Sequence, residues 1–242
     1  MKALILAAGI GSRLGDITKD LPKCLVPVCG KPILEYQLDA LLENGIIDII
    51  IVVGYQKEKI FQFIASKPKY TEIHFTFAEN PEYAATNSSY SYWQARELIE
   101  KESYLHLNSD IVFFPDLIQK LKNNLHDNVI LVDTSVKLDE SMEQVVLEGK
   151  RVIFMDKANL PNAHGRGSGM AKISPEARTH MLNRLQEFIA KGDKNQHCHG
   201  LIRYALTKVP FYAADAHDLV FHEINNQQEL NEAEEAIRRH RQ

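Results

Sequence analysis

Residues 2–23 read KALILAAGIGSRLGDITKDLPK. An unbroken apolar run, "KALILAA", turns without a polar spacer into a segment carrying Gly9, Gly11 and Gly15. Such a run, ending at glycines, has the pattern of a β-strand buried on both faces. In open parallel sheets ligands sit beyond the carboxyl ends of the strands, and Gly9 and Gly11 fall at that place. Glycine lets backbone N–H groups come close to an anion. Arg13 adds a planar fork for phosphate oxygens and Lys23 a compact charge. The stretch therefore predicts an α/β fold with a polyphosphate site at one sheet edge. The competing reading is a surface loop whose Arg13 and Lys23 are simply solvated.

Two common phosphate motifs are excluded. A P-loop needs G-x-x-x-x-G-K-[ST], which is absent, and the dinucleotide fingerprint needs glycine where Leu14 stands.

Working outward, strand and helix patterns alternate. Pro32 opens "ILEYQLDALLENG", where Leu34, Leu38, Leu41 and Leu42 make a helical stripe and Gly45 a stop. "DIIIVVG" is a second buried strand, residues 55–66 a helix and "IHFTF" a third strand. Thr86 or Asn87 caps a helix through "SYSYWQARELIEK". "SYLHLN" is a fourth strand, closed by Ser109 and Asp110, and Pro115 starts another helix. This alternation predicts a three-layer α/β/α sandwich with a mostly parallel sheet. After residue 128 the pattern changes to short strands, "NVILVD", "EQVVLEG" and "RVIFMD", the last two joined at Gly149-Lys150. Helices at 175–192 and 197–208, two further strands and a charged helix over 227–240 complete the chain. One domain over 1–242 is expected, with a nucleotide-binding half at 1–127 and an acceptor-binding half at 128–242.

The 242 residues, 45% of them hydrophobic, allow a sizeable core. A net charge of −4 argues against a broad nucleic-acid surface but permits a local cationic cluster. No apolar run is long enough to span a bilayer, and "KALILAAG" reads as a strand and not a targeting segment, so no membrane partner is expected. Cys24, Cys29 and Cys198 form no C-x-x-C pair, which argues against a disulfide framework or structural zinc and fits a reducing cytoplasm.

Residues 6–36, LAAGIGSRLGDITKDLPKCLVPVCGKPILEY, resemble the opening signature of the nucleotidyltransferases that make sugar-nucleotides and CDP-alcohols. The resemblance implies a Rossmann-like fold with a mixed sheet. It implies that Leu6, Ala7, Ala8, Gly9, Gly11 and Ser12 approach a nucleoside triphosphate. Arg13 would hold the β- and γ-phosphates, and Lys23 would bridge the α-phosphate and the incoming phosphate. Asp16 departs from the family, where proline is common.

"GYQKEKI" and "AENPEYAATNSSYSYWQARE" resemble the subgroup of choline-phosphate and phosphonate cytidylyltransferases, which favours CTP and a small phosphorylated or phosphonate acceptor. Asn87 and Ser88 offer amide and hydroxyl groups to a base, or plain helix capping. Tyr90 and Trp93 share a helical face, as a cage for a quaternary ammonium or as core.

Asp110 follows a buried strand on the same edge as the glycine turn, a natural Mg²⁺ ligand or a turn-forming residue. The resemblance implies a second ligand in the C-terminal "HEINNQQEL", where Asn225 stands in place of the family's aspartate and Glu223 lies on the same side. Lys157, Gly169 and Glu223 are placed with the acceptor, while Lys172 is structural or solvated. His197 and His199 make an H-C-H triplet without further ligands in sequence. The expected reaction is Mg²⁺-dependent cytidylyl transfer. Sugar-1-phosphate activation with UTP, dTTP or GTP is one alternative, and a catalytically weak nucleotide-binding sensor, suggested by Asn225, is another.

Overall fold

The computed structural model describes residues 1–100, 102–217 and 219–240. The first half is built as β1 (Lys2–Ala7), β2 (Pro27–Val28), β3 (Lys31–Pro32), α1 (Ile33–Glu43), β4 (Asp48–Val53), α2 (Lys57–Ala65), β5 (His74–Glu79), α3 (Ser88–Gln94), β6 (Tyr104–Asn108), β7 (Ile111–Phe113) and α4 (Pro115–Lys122). The second half follows as β8 (Val129–Asp133), β9 (Gln144–Glu148), β10 (Arg151–Asp156), β11 (Gly165–Ile173), α5 (Pro175–Ala190), α6 (Cys198–Leu206), β12 (Phe211–Asp215), β13 (Phe221–Glu223) and α7 (Gln227–His240).

A nine-stranded sheet in the order β5-β4-β1-β6-β11-β8-β12-β10-β9 runs unbroken through both halves. β5, β4, β1 and β6 are parallel neighbours, as are β8 and β12. β11 lies antiparallel between β6 and β8 and makes the sheet mixed. Alternate residues from Ala3 to Ala8, along β1 and just past it, serve two cores. Ala3, Ile5 and Ala7 pack with Leu34, Leu38 and Leu117, whereas Leu4, Leu6 and Ala8 share the other face with Tyr92, Met181 and Leu201. This two-sided burial is why "KALILAA" is apolar throughout.

Two elements start or stop short of the sequence expectation. α2 begins at Lys57 because Gly54 and Tyr55 are occupied in a turn against β1, with Tyr55 N–H donating to Ala8 O at 3.0 Å. A side chain at Gly54 would meet Ala8 O at 2.8 Å. α3 ends at Gln94, and the chain continues in i→i+3 turns through Leu98 with Arg96 donating to the Trp93 carbonyl. Among the described residues no helix is long and apolar enough to cross a membrane.

A third core positions the functional edge. Leu14, Val26 and Val28 pack with Ile33, Tyr36 and Val112 and with Ile224, Leu230 and Ile237, which clamps the segment after β1 against α7. The short antiparallel ribbon β7–β13 forms a separate two-stranded sheet and pairs Ile111 with Glu223.

Candidate functional site

β1 delivers the chain to Gly9 and Gly11. Gly11 adopts φ 72°, and a β-carbon there would stand 2.9 Å from Lys23 Cβ, so glycine is required for the turn and for Lys23 to lie across it. Residues 12–18 then wind into 3₁₀ turns, with Leu14 N–H and the Thr18 hydroxyl both donating to Gly11 O. Leu14 is buried in the third core. The segment is thus an anchored turn and not an open loop.

Ile224 N–H donates to Asp110 O at 2.9 Å, one step along the β7–β13 ribbon, and this bond brings Asp110 and Asn225 together. Lys23 Nζ donates to Asp110 Oδ2 at 2.6 Å and to Asn225 Oδ1 at 2.9 Å. Arg13 Nη2 donates to the same Asn225 oxygen at 2.6 Å. Both members of the Lys23–Asp110 pair are mostly withdrawn from solvent, at 12% and 18% side-chain exposure, which strengthens their attraction. Asp110 Oδ1 is buried with no hydrogen-bond partner.

Asn225 Nδ2 donates to Glu223 Oε1 at 2.9 Å, and Arg166 Nη2 holds Glu223 Oε2 at 3.0 Å. Burial works to raise the Glu223 pKa. The Asn225 hydrogen bond and the fields of Arg166, His199 and Lys23 outweigh it and hold the carboxyl below its ordinary value. Asn225 N–H donates to Glu229 Oε2 at 2.5 Å, while Asn226 Oδ1 caps α7 through Glu229 N–H.

The other expected residues lie around this centre. Asn87 Oδ1 caps α3 at Ser88 N–H, and Ser88 Oγ accepts from Cys198 N–H at 3.0 Å, which ties α3 to α6. Lys157 follows β10 with its side chain exposed. Gly169 faces Asn108, whose Nδ2 would lie 2.2 Å from an added β-carbon. Lys172 is buried and donates to Asn124 O, a structural role. The Tyr90 hydroxyl donates to Glu82, Lys194 covers its ring at 4.6 Å, and Arg96 covers the Trp93 ring at 4.7 Å. His197 is pushed below its ordinary pKa by burial and then by the charges of His199, Lys157, Arg203 and Arg13. Cys24 and Cys198 are buried thiols pushed up to about 12 by that burial.

Sequence reasoning passed over Arg166 and Glu229. Arg166 sits in the stretch GRGSGMAKIS over residues 165–174, but nothing local pairs it with a residue 57 positions away. Glu229 was legible as the fourth residue of an N-x-x-E capping pattern.

The family model for nucleotidyl transferases matches residues 2–142. A CTP:phosphoglutamine cytidylyltransferase of Campylobacter jejuni is 38% identical over 140 residues, 56% of this chain and 53% of that protein. A choline-phosphate cytidylyltransferase of Streptococcus pneumoniae is 46% identical over 114 residues, 45% of this chain and 47% of that protein. The alignments thus span about half the length of these curated relatives. The solved CTP:phosphocholine cytidylyltransferase of Streptococcus pneumoniae superposes with a TM-score of 0.77 at 26% identity, over 98% of both chains.

Proposed function

Because the chain belongs to the nucleotidyl transferase family, we propose that it moves CMP from CTP to a small phosphorylated or phosphonate acceptor and releases pyrophosphate. The observation that carries the reading is the meeting of Arg13, Lys23, Asp110 and Asn225 beside the Gly9–Gly11 turn. Residues 1–127 take the nucleotide and residues 128–242 the acceptor.

An acceptor oxygen attacks the α-phosphorus as the bond to the β-phosphate oxygen breaks, and that oxygen leaves with its electron pair on pyrophosphate. The attacking phosphate oxygen is already ionised near neutral pH, so the chain needs no general base. Its residues align two anions and offset their repulsion. Arg13 grips the terminal phosphates, and Lys23 lies between the α-phosphate and the acceptor. Leu6, Ala7, Ala8, Gly9, Gly11 and Ser12 shape the triphosphate seat. Asn87 and Ser88 stand toward the base, and Lys157, Gly169 and Glu223 stand on the acceptor side.

Mg²⁺ fits the same centre. The buried, unpartnered Asp110 Oδ1 and the Asn225 amide oxygen form a hard-oxygen donor pair of the kind this ion takes alongside phosphate oxygens and water. Bound there, Mg²⁺ supplies charge neutralisation at the phosphates.

The test is pyrophosphate release with CTP, UTP, GTP, ATP and dTTP across phosphocholine, aminoethylphosphonate, other alcohol phosphates and sugar-1-phosphates. A strong CTP signal with one acceptor is the expected result. Turnover of a sugar-1-phosphate with UTP, dTTP or GTP would replace the acceptor assignment. CTP binding without release across the panel would favour the sensor reading.

A further inference from the structure

Asn225 differs from an aspartate in one respect that matters at this site. A carboxylate offers oxygen on both sides, whereas an amide offers oxygen on one side and a donor on the other. Asn225 is 8% exposed and enclosed by charged groups, so the direction of its amide decides what it presents. Its oxygen is directed at Lys23 and Arg13 and its nitrogen at Glu223, which in turn is held by Arg166. The backbone beneath it is fixed by Glu229 and by the ribbon bond from Ile224 to Asp110.

In the free protein two cations already select the oxygen. On the proposed function, on which this inference rests, Arg13 and Lys23 turn to the phosphates when CTP binds. The contact from Asn225 Nδ2 to Glu223 then becomes the one that keeps the oxygen forward. Reversal would aim an N–H group at the ion and would leave the Glu223 carboxylate without its donor. We propose that Glu223, braced by Arg166, is a positioning residue that locks the Asn225 amide with its oxygen toward the divalent cation and phosphates. The lock replaces the orientation that an aspartate would not need.

The experiment is Mn²⁺ binding in the presence of saturating CTP, read by electron paramagnetic resonance, with CTP binding in the absence of metal measured in parallel. No turnover enters the readout. Glu223→Leu is expected to weaken Mn²⁺ affinity about tenfold or more, the scale of losing an outer partner of a metal ligand. Metal-free CTP binding is expected to persist, since this reading puts Glu223 on the acceptor side and not in the triphosphate seat. The diagnostic is rescue. In the Asn225→Asp background Glu223→Leu is expected to change Mn²⁺ affinity less than about twofold, because a carboxylate has no wrong way round, so the loss caused by Glu223→Leu disappears there. Glu223→Gln, which keeps an acceptor carbonyl and the side-chain volume, is expected to fall between wild type and Glu223→Leu and serves if the leucine variant does not fold. Equal Mn²⁺ affinity in wild type and both single variants, or loss without rescue by aspartate, overturns the inference alone. Absence of CTP-dependent Mn²⁺ binding in wild type overturns the functional reading as well.

Discussion

The strand end β1–Gly11 and the ribbon β7–β13 supply the same site by opposite means. The first is local. A buried strand runs straight into a glycine turn, and Arg13 and Lys23 follow within one anchored segment. The second is assembled at long range. Asp110 and Asn225 meet only because Ile224 pairs back to Asp110, and Asn225 Nδ2 bonds Glu223 of the ribbon itself, which Arg166 holds from β11. The difference teaches which errors each region tolerates. The local segment depends on backbone shape at one residue, whereas the ribbon depends on several side chains at once.

The largest expected effect falls on the residue that joins the two regions. Lys23 lies across Gly11 and donates to both Asp110 and Asn225. Lys23→Ala is expected to lower pyrophosphate release by about 10²-fold or more, the scale of removing one preorganised charge. Circular dichroism and thermal melting are expected to show a folded chain. Turnover within a few-fold of wild type would mean that the regions do not work through this lysine.

A second effect lies on the seam strand β6, which pairs with β1 on one side and β11 on the other. His106 is buried there against Tyr92, and burial and His199 push its pKa down from 6.5 to about 3. Between those values the unfolded chain holds a proton that the folded chain rejects, so the contribution to stability is complete above about 6.5 and is lost as pH falls toward about 3. Urea unfolding from pH 7 to pH 4.5 is expected to show this loss, roughly 2 kcal/mol from His106. His197 and His222 are shifted the same way and add to the slope. Replacing His106 by Gln should remove about one proton's worth of the dependence, and an unchanged slope would move the acid-sensitive seam elsewhere.

How much was legible follows the same division. The first half reads from local pattern, since two-sided burial makes β1 and β4 continuously apolar and a leucine stripe marks α1. α3 is shorter than its pattern: past Gln94 the chain tightens into i→i+3 turns, and the Arg96 side chain bonds back to the Trp93 carbonyl. The nine-residue β11 shows no clean alternation, and its glycines answer to neighbouring strands. Gly165 lies against Asp133 O and Gly169 against Asn108. In the site, Arg13, Lys23, Asp110 and Asn225 could each be named from the chain, because strand ends and motif positions are sequence-local. The braces on Asn225 could not, because an ion pair such as Arg166–Glu223 exists only once β11 and β13 are placed.

Gly169 on β11 gives a smaller and more local break, in the main sheet next to the ribbon's entry from β6. An added methyl at 2.2 Å from Asn108 Nδ2 cannot be accommodated without displacing that side chain. Gly169→Ala is expected to destabilise by about 1–3 kcal/mol, the usual range for overpacking. Asn108→Ala in the same chain is expected to recover most of it in a double-mutant unfolding cycle. A Gly169→Ala protein with unchanged stability would show that the glycine serves something other than this close approach.

The smallest expected effect tests whether the two halves divide the substrates. Lys157 stands after β10 with an exposed side chain, and its charge reaches His197 along with that of Arg13 from the first half. An exposed cation acts through solvent-screened attraction, so removing it is worth about 1 kcal/mol or less. Lys157→Met is therefore expected to raise the KM for the acceptor by about twofold to fivefold, with the KM for CTP and kcat little changed. The conservative Lys157→Arg keeps the charge and should stay near wild type. A rise in the KM for CTP instead would place Lys157 with the triphosphate and merge the two regions into one anion site. Equal, small rises for both substrates at low salt that vanish at high salt would reduce its role to the general positive field of the cleft.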